Sequence, residues 1–225
     1  MKKPILLILS LSAGILTAST LLGFRGSKKI SALNFKGKKV LFIGDSHTAL
    51  YNAGWQSVLA KRYGFYEKNT AIGGKTTDWM LNQLNLSLSS GEKFYACFIY
   101  GGANDAYNTS ISNEKAVSNI QKMVDICNKN NVIPIVIVGY NTRKVSVGNP
   151  AMPTTSYVKT KQGMWDLAER RYQQQLLMQR SIKNAIVIPM WDNVNYSTAP
   201  IDALHLNVQS QTDFANYIDS KLFSK

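Results

Sequence analysis

Four short stretches of this chain carry residue types that together could make and break an acyl bond. Gly44-Asp45-Ser46-His47 offers Ser46, whose hydroxyl and backbone N–H a tight strand-to-helix turn would expose. Asp202-Ala203-Leu204-His205 offers His205 as a general base, with Asp202 three residues earlier, where one turn can set its carboxylate on the imidazole. That contact would fix the tautomer and stabilise the imidazolium. Gly101-Gly102-Ala103-Asn104-Asp105 offers the Asn104 amide, and Asn69-Thr70-Ala71-Ile72-Gly73-Gly74 a backbone N–H at Gly74. With the Ser46 N–H these would make a three-donor oxyanion hole. Singly, each signal is weak: a Gly-Asp-Ser turn is often a helix cap, and Asp-x-x-His is often a surface turn.

The elements that would position these residues alternate along the chain. Val40 to Ile43, Phe94 to Tyr100 and Val132 to Val138 are continuous apolar runs that suit buried parallel strands, with weaker strands at Phe65 to Asn69 and Ala185 to Ile188. Trp55/Val58/Leu59, Trp79/Met80/Leu84/Leu88, Val117/Ile120/Val124/Cys127 and Phe214/Ile218/Leu222 have helical spacing, and a polar helix is expected over about 161–180. Five strands joined mostly by helices predict an α/β fold with an open parallel sheet covered on both faces. In such sheets ligands bind beyond the carboxyl ends of the strands, and four of the five ends lead to the stretches above. Residues 141–160, with Gly148, Pro150 and Pro153, read as a long loop of the kind that is more often functional than idle.

With its blocks in this order, the sequence resembles the SGNH (GDSL-type) hydrolase family, whose motifs are Gly-Asp-Ser, a glycine after the second strand, Gly-x-Asn-Asp and Asp-x-x-His. The resemblance spans residues 40–225. It implies a three-layer α/β sandwich with a five-stranded parallel sheet of flavodoxin-like strand order. It also implies a serine esterase or lipase that works through an acyl-enzyme without metal or organic cofactor. By position, Ser46 is the nucleophile, Gly74 and Asn104 are oxyanion donors, and Asp202 and His205 complete the triad. Gly73 is an alternative to Gly74, because the doubled glycine leaves the alignment open by one. Two positions depart from the pattern: His47 stands where leucine is commoner, and Leu206 where proline is common. His47 adjoins Ser46 and has no aspartate spaced as Asp202 is from His205. That leaves it a candidate substrate contact or helix cap rather than the base.

Members of that family deacetylate glycans and cleave lysophospholipids. The expected substrate here is a small-molecule or glycan ester, with an O-acetyl group of a carbohydrate or cell-envelope polymer favoured. Lysophospholipid cleavage, acyl transfer to a sugar and non-catalytic binding are the alternatives. Tyr157 and Trp165 offer aromatic surface for a sugar or acyl chain, or simply pack the long loop.

Charge and targeting narrow the class further. The 225 residues carry 26 basic and 13 acidic side chains, a formal +13. Residues 1–39 hold eight of the bases and no acid, which leaves 18 against 13 for the rest. The folded part is only mildly basic and makes no case for nucleic acid. Its basic pairs, Lys61-Arg62 and Arg170-Arg171, read as solvated helix faces. Met1-Lys2-Lys3 followed by an uncharged run to Phe24 reads as a signal peptide or membrane anchor over 1–24. A basic linker then covers 25–39 before the domain at 40–225. Export is expected, although the bases at 25–39 favour a cytoplasmic flank. His47, Cys97, Cys127 and His205 lie at none of the short spacings zinc sites use, and the two cysteines read as buried, inert thiols. Gly73-Gly74-Lys75-Thr76-Thr77 imitates the end of a phosphate-binding loop but lacks the earlier glycine, since that position is Asn69.

Overall fold

The computed structural model describes residues 33–49, 54–146, 161–194 and 205–223. Five strands, β1 (Lys39–Gly44), β2 (Tyr66–Asn69), β3 (Ala96–Tyr100), β4 (Ile133–Ile137) and β5 (Ile186–Ile188), form one sheet in the order β2-β1-β3-β4-β5. All neighbours pair in parallel. Seven helices accompany them among the described residues: α1 (Trp55–Tyr63), α2 (Thr77–Ser89), α3 (Ala103–Tyr107), α4 (Asn113–Lys129), α5 (Thr142–Ser146), α6 (Lys161–Ser181) and α7 (Val208–Leu222). This is the expected three-layer α/β sandwich with flavodoxin-like strand order.

The period of two along each strand divides the core between two faces. Val40, Phe42, Phe98, Tyr100 and Ile135 meet Trp55 and Leu59 of α1 and Phe214, Ile218 and Leu222 of α7. Leu41, Ile43, Cys97, Ile99 and Val136 meet α2, α4 and α6 through residues such as Met80, Ile120, Val124 and Met178. Phe42 and Phe98 are register partners, and their rings stack with centroids 5.0 Å apart. Cys97 and Cys127 are free and buried.

Several boundaries shift from expectation. The segment read as a linker joins the fold before residue 40: Phe35 is buried against Phe65, Tyr95, Phe98 and Phe223, and Lys39 already pairs with Tyr66. The long loop opens with the short helix α5. The Gly-x-Asn-Asp turn runs into a five-residue helix, α3, behind Gly102 at φ 96°. Arg171 does not lie on a solvated face; it is 2% exposed. No helix among the described residues is long and apolar enough to cross a membrane. The expected leader at 1–24 lies outside the described residues.

The strand order reverses at β1, which has β2 on one side and β3 on the other, so the cleft forms at the carboxyl ends of β1 and β3. Gly44 and Tyr100 are register partners there. A Cβ on Gly44 would come within 2.4 Å of the Tyr100 carbonyl oxygen and 2.6 Å of Thr48 Oγ1. Only glycine lets the two strand ends approach this closely.

Candidate active site

Ser46 sits on the turn that leaves β1. The turn is closed by Thr48 N–H and Ala49 N–H donating to the Asp45 carbonyl at 3.0 and 3.1 Å. The exit is pinned from outside: Gln56 Nε2 and Asn69 Nδ2 both donate to the Thr48 carbonyl, at 3.1 and 2.7 Å, and Trp55 Nε1 donates to the His47 carbonyl at 3.1 Å.

His205 arrives from the other end of the chain, three residues before α7. Asn207 caps that helix by accepting from Ser210 N–H at 2.8 Å. Gln211 ties α7 to α1 by accepting from Trp55 N–H at 3.2 Å and donating to the Leu206 carbonyl at 3.3 Å. This framing brings His205 Nε2 to 2.7 Å from Ser46 Oγ, a hydrogen-bonding separation for a nucleophile and its base.

The second and third blocks meet beside Ser46. A methyl group on Gly73 would rest 3.6 Å from Ser46 Cβ, so this loop runs alongside the serine. Gly74 follows at φ 75°, a left-handed conformation that favours glycine. Asn104 Nδ2 donates to the Lys75 carbonyl at 3.0 Å, which orients the amide and leaves its second N–H. The neighbouring Asp105 grips the same loop. Its carboxylate accepts from Thr77 N–H at 2.9 Å and from Thr77 Oγ1 at 2.6 Å. Asn119 Nδ2 supports Thr77 Oγ1 at 3.0 Å. The Asp105 carboxyl therefore occupies the first turn of α2.

Asp45 joins the nucleophile turn to the Asn104 turn. It is fully buried, and its carboxylate accepts from His47 N–H at 3.1 Å and Ala103 N–H at 3.3 Å. Burial raises its carboxyl above the ordinary range. The Arg171 charge, these two N–H groups and His205 pull the other way. Burial likewise raises Asp105, against the Thr77 hydrogen bonds and Arg171.

His47 is 8% exposed and forms a wall behind His205. Its ring stacks on Tyr100, meets Tyr140 edge-on and lies 5.1 Å from the His205 ring. Its Nδ1 is 3.4 Å from the Tyr140 hydroxyl. Asp202, Tyr157 and the side chain of Trp165, near the start of α6, lie outside the described residues. The described residues include no group of three His, Cys, Asp or Glu side chains that could hold a metal ion.

The structure thus gathers Ser46, His205, Gly73–Gly74 and Asn104 at one rim. A separate hollow of about 530 Å³, lined by Leu33, Asp125, Asn128 and Ile186 among others, lies at the opposite, amino edge of the sheet. Sequence reasoning missed Asp45, Asp105 and Arg171. The first two stood inside motifs already singled out, but their partners are fixed only by tertiary packing.

The chain is similar in fold to the esterase EstA from Pseudoalteromonas sp., at 17% identity over 82% of this chain and 96% of that one, with a TM-score of 0.56. It is also similar to a lipolytic protein of the G-D-S-L family from Desulfitobacterium hafniense DCB-2, at 19% identity over 82% and 99%, with a TM-score of 0.57. Axe2, an acetylxylan esterase from Geobacillus stearothermophilus, matches at 13% identity over 86% and 98%, with a TM-score of 0.57. No curated protein matches significantly. The model of the GDSL-like lipase/acylhydrolase family matches residues 42–211, most of the chain, so this protein belongs to that family and is a hydrolase of ester bonds.

Proposed function

We propose that the protein is a serine esterase that removes an O-acetyl or other short acyl group from a carbohydrate or cell-envelope substrate. The observation that carries the serine mechanism is the 2.7 Å separation of Ser46 Oγ and His205 Nε2.

Ser46 Oγ attacks the ester carbonyl while His205 Nε2 takes its proton. The tetrahedral oxyanion lies among the N–H groups of Ser46 and Gly74 and the Asn104 amide, where fixed donors stabilise charge that appears only during reaction. The imidazolium then protonates the departing sugar oxygen, leaving Ser46 acylated. Water, deprotonated by His205, attacks the acyl-enzyme, and the proton returns to Ser46 as the acid leaves. Asp202 is assigned, by its place in the Asp-x-x-His motif, to keep the imidazole in the required tautomer. No step calls for a metal or organic cofactor.

A small acyl group is favoured by the expected export and by the likeness to Axe2, described as an acetylxylan esterase. The experiment has two parts. A fluorophosphonate probe labels the protein, and Ser46→Ala abolishes labelling; undiminished labelling in that variant overturns the serine mechanism. Acetate release from acetylated glycan is then compared with fatty-acid release from lysophospholipid. Faster release of fatty acid moves the substrate to lipids, and acetyl gain by an added sugar makes the enzyme a transferase.

A further inference from the structure

The inner face of α6 is polar where a helix packed on a sheet is normally apolar. Arg171, Gln174 and Gln175 are all buried there, together with Ala168 and Met178 at helical spacing. Each buried polar group reaches the carboxyl rim of the sheet or the group beside it. Gln175 Nε2 donates to the carbonyls of Val138 and Tyr140, at 3.1 and 2.7 Å, just past β4. Arg171 Nη2 donates to the Gly101 carbonyl at 3.2 Å, just past β3, and Nη1 donates to Gln174 Oε1.

The contact with the Asn104 turn is close. A Cβ on Gly102 would stand 3.0 Å from both Arg171 Nη1 and Gln174 Oε1. Arg170 holds the far end of the same segment, donating from Nη1 to the Ala106 carbonyl at 3.0 Å and from Nη2 to the Ile111 carbonyl. Two adjacent arginines thus bracket the stretch that carries Asn104. Burying a guanidinium is expensive unless charge and hydrogen bonds offset it. The buried Asp45 carboxyl lies at the same turn, accepting from Ala103 N–H at 3.3 Å.

We propose that Arg171 is a positioning residue of the oxyanion hole: through its hydrogen bond to the Gly101 carbonyl and its packing on Gly102, it fixes the Gly101–Asn104 turn against Ser46 and so sets where the Asn104 amide points. Lysine cannot replace it, because a single ammonium lacks the planar fork that serves the carbonyl and Gln174 together. This role rests on the serine-esterase reading only for its effect on rate; the placement of the amide is independent of it.

The test is a double-mutant cycle with 4-nitrophenyl acetate. Arg171→Met lowers kcat about 10- to 100-fold, the size of effect that an ångström of misplacement produces, with KM within about twofold. In the Asn104→Ala background the same change costs less than about threefold more, because the donor it positions is gone. Equal losses in both backgrounds, or an undiminished kcat, overturn the proposal. If Arg171→Met fails to fold, Arg171→Lys and Gln174→Leu are carried through the same cycle with the same expectation. One readout needs no turnover. The Asn104 side-chain amide resonance, assigned by its loss in Asn104→Ala, shifts or broadens in the Arg171 variant; an unmoved resonance overturns the proposal. An inactive wild type with a shifted resonance would overturn the esterase reading and leave this one standing.

Discussion

The Asn104 side chain donates one N–H to the Lys75 carbonyl at 3.0 Å, so its amide is oriented before any substrate arrives. This bond joins the second and third blocks of the site across 29 positions of sequence. In the proposed mechanism, removing the amide deletes a donor that acts on charge present only in the transition state. Asn104→Ala is therefore expected to lower kcat by about 10²–10³ with little change in KM. Steady-state kinetics on 4-nitrophenyl acetate check this, and a rise in KM with kcat unchanged would remove Asn104 from the oxyanion hole.

Much of this arrangement was legible before the fold. The apolar runs of β1, β3 and β4 suit buried parallel strands, because they are short, bounded by turn residues and apolar on both faces, as a sheet covered on both sides requires. Their carboxyl ends then deliver Ser46 and Asn104 to one rim. Arg171 was not legible. A basic residue in a polar helix has the same local signature whether it faces water or a carbonyl, and only the packing of α6 on the ends of β3 and β4 decides. Phe35 was hidden for a related reason: one aromatic among lysines does not make a periodic pattern, yet the core closes around it.

The glycines of the site are required for different physical reasons, and substitution separates them. Gly44→Ala drives a methyl group into the Tyr100 carbonyl, a backbone atom that cannot yield without parting β1 from β3. Its expected cost is about 1–3 kcal/mol or more. Gly74→Ala meets nothing within 4 Å but must hold φ 75°, at about 1–2 kcal/mol. Gly73→Ala makes only an ordinary contact with Ser46 Cβ and is expected near wild-type stability. Urea unfolding of the three variants orders them, and a Gly73 variant as weak as the Gly44 one would contradict this reading.

Glu67 on β2 gives a pH signature. Its carboxyl is raised above the usual value of 4.5, chiefly by burial and against the hydrogen bonds from Ser57 and Asn69. Ser57 Oγ donates to it at 2.9 Å. A raised carboxyl favours the folded state when protonated. That contribution is present below pH 4.5 and is lost as pH rises through the folded value. Glu67→Gln keeps an acceptor for Ser57 and removes the titration. Its Tm relative to wild type is expected to climb between pH 4 and pH 7. Thermal melts at both values check this, and a constant difference would mean that burial does not penalise the charge.

His47 stands where the family pattern commonly has leucine, and its ring fills the space between Tyr100, Tyr140 and His205. If that volume is its contribution, shape should matter more than the imidazole nitrogens. His47→Leu replaces most of the bulk, and kcat/KM is expected to fall only a few-fold. His47→Ala leaves a hole behind the base. With the His47 ring no longer packed against it, the His205 ring can shift from Ser46, and a loss of about tenfold or more is expected, since small displacements of a catalytic group are costly. Comparing the two variants under identical conditions decides the matter. If the leucine variant lost as much activity as Ser46→Ala, His47 would have to take part in the proton transfers themselves, and His205 would no longer account for the base alone.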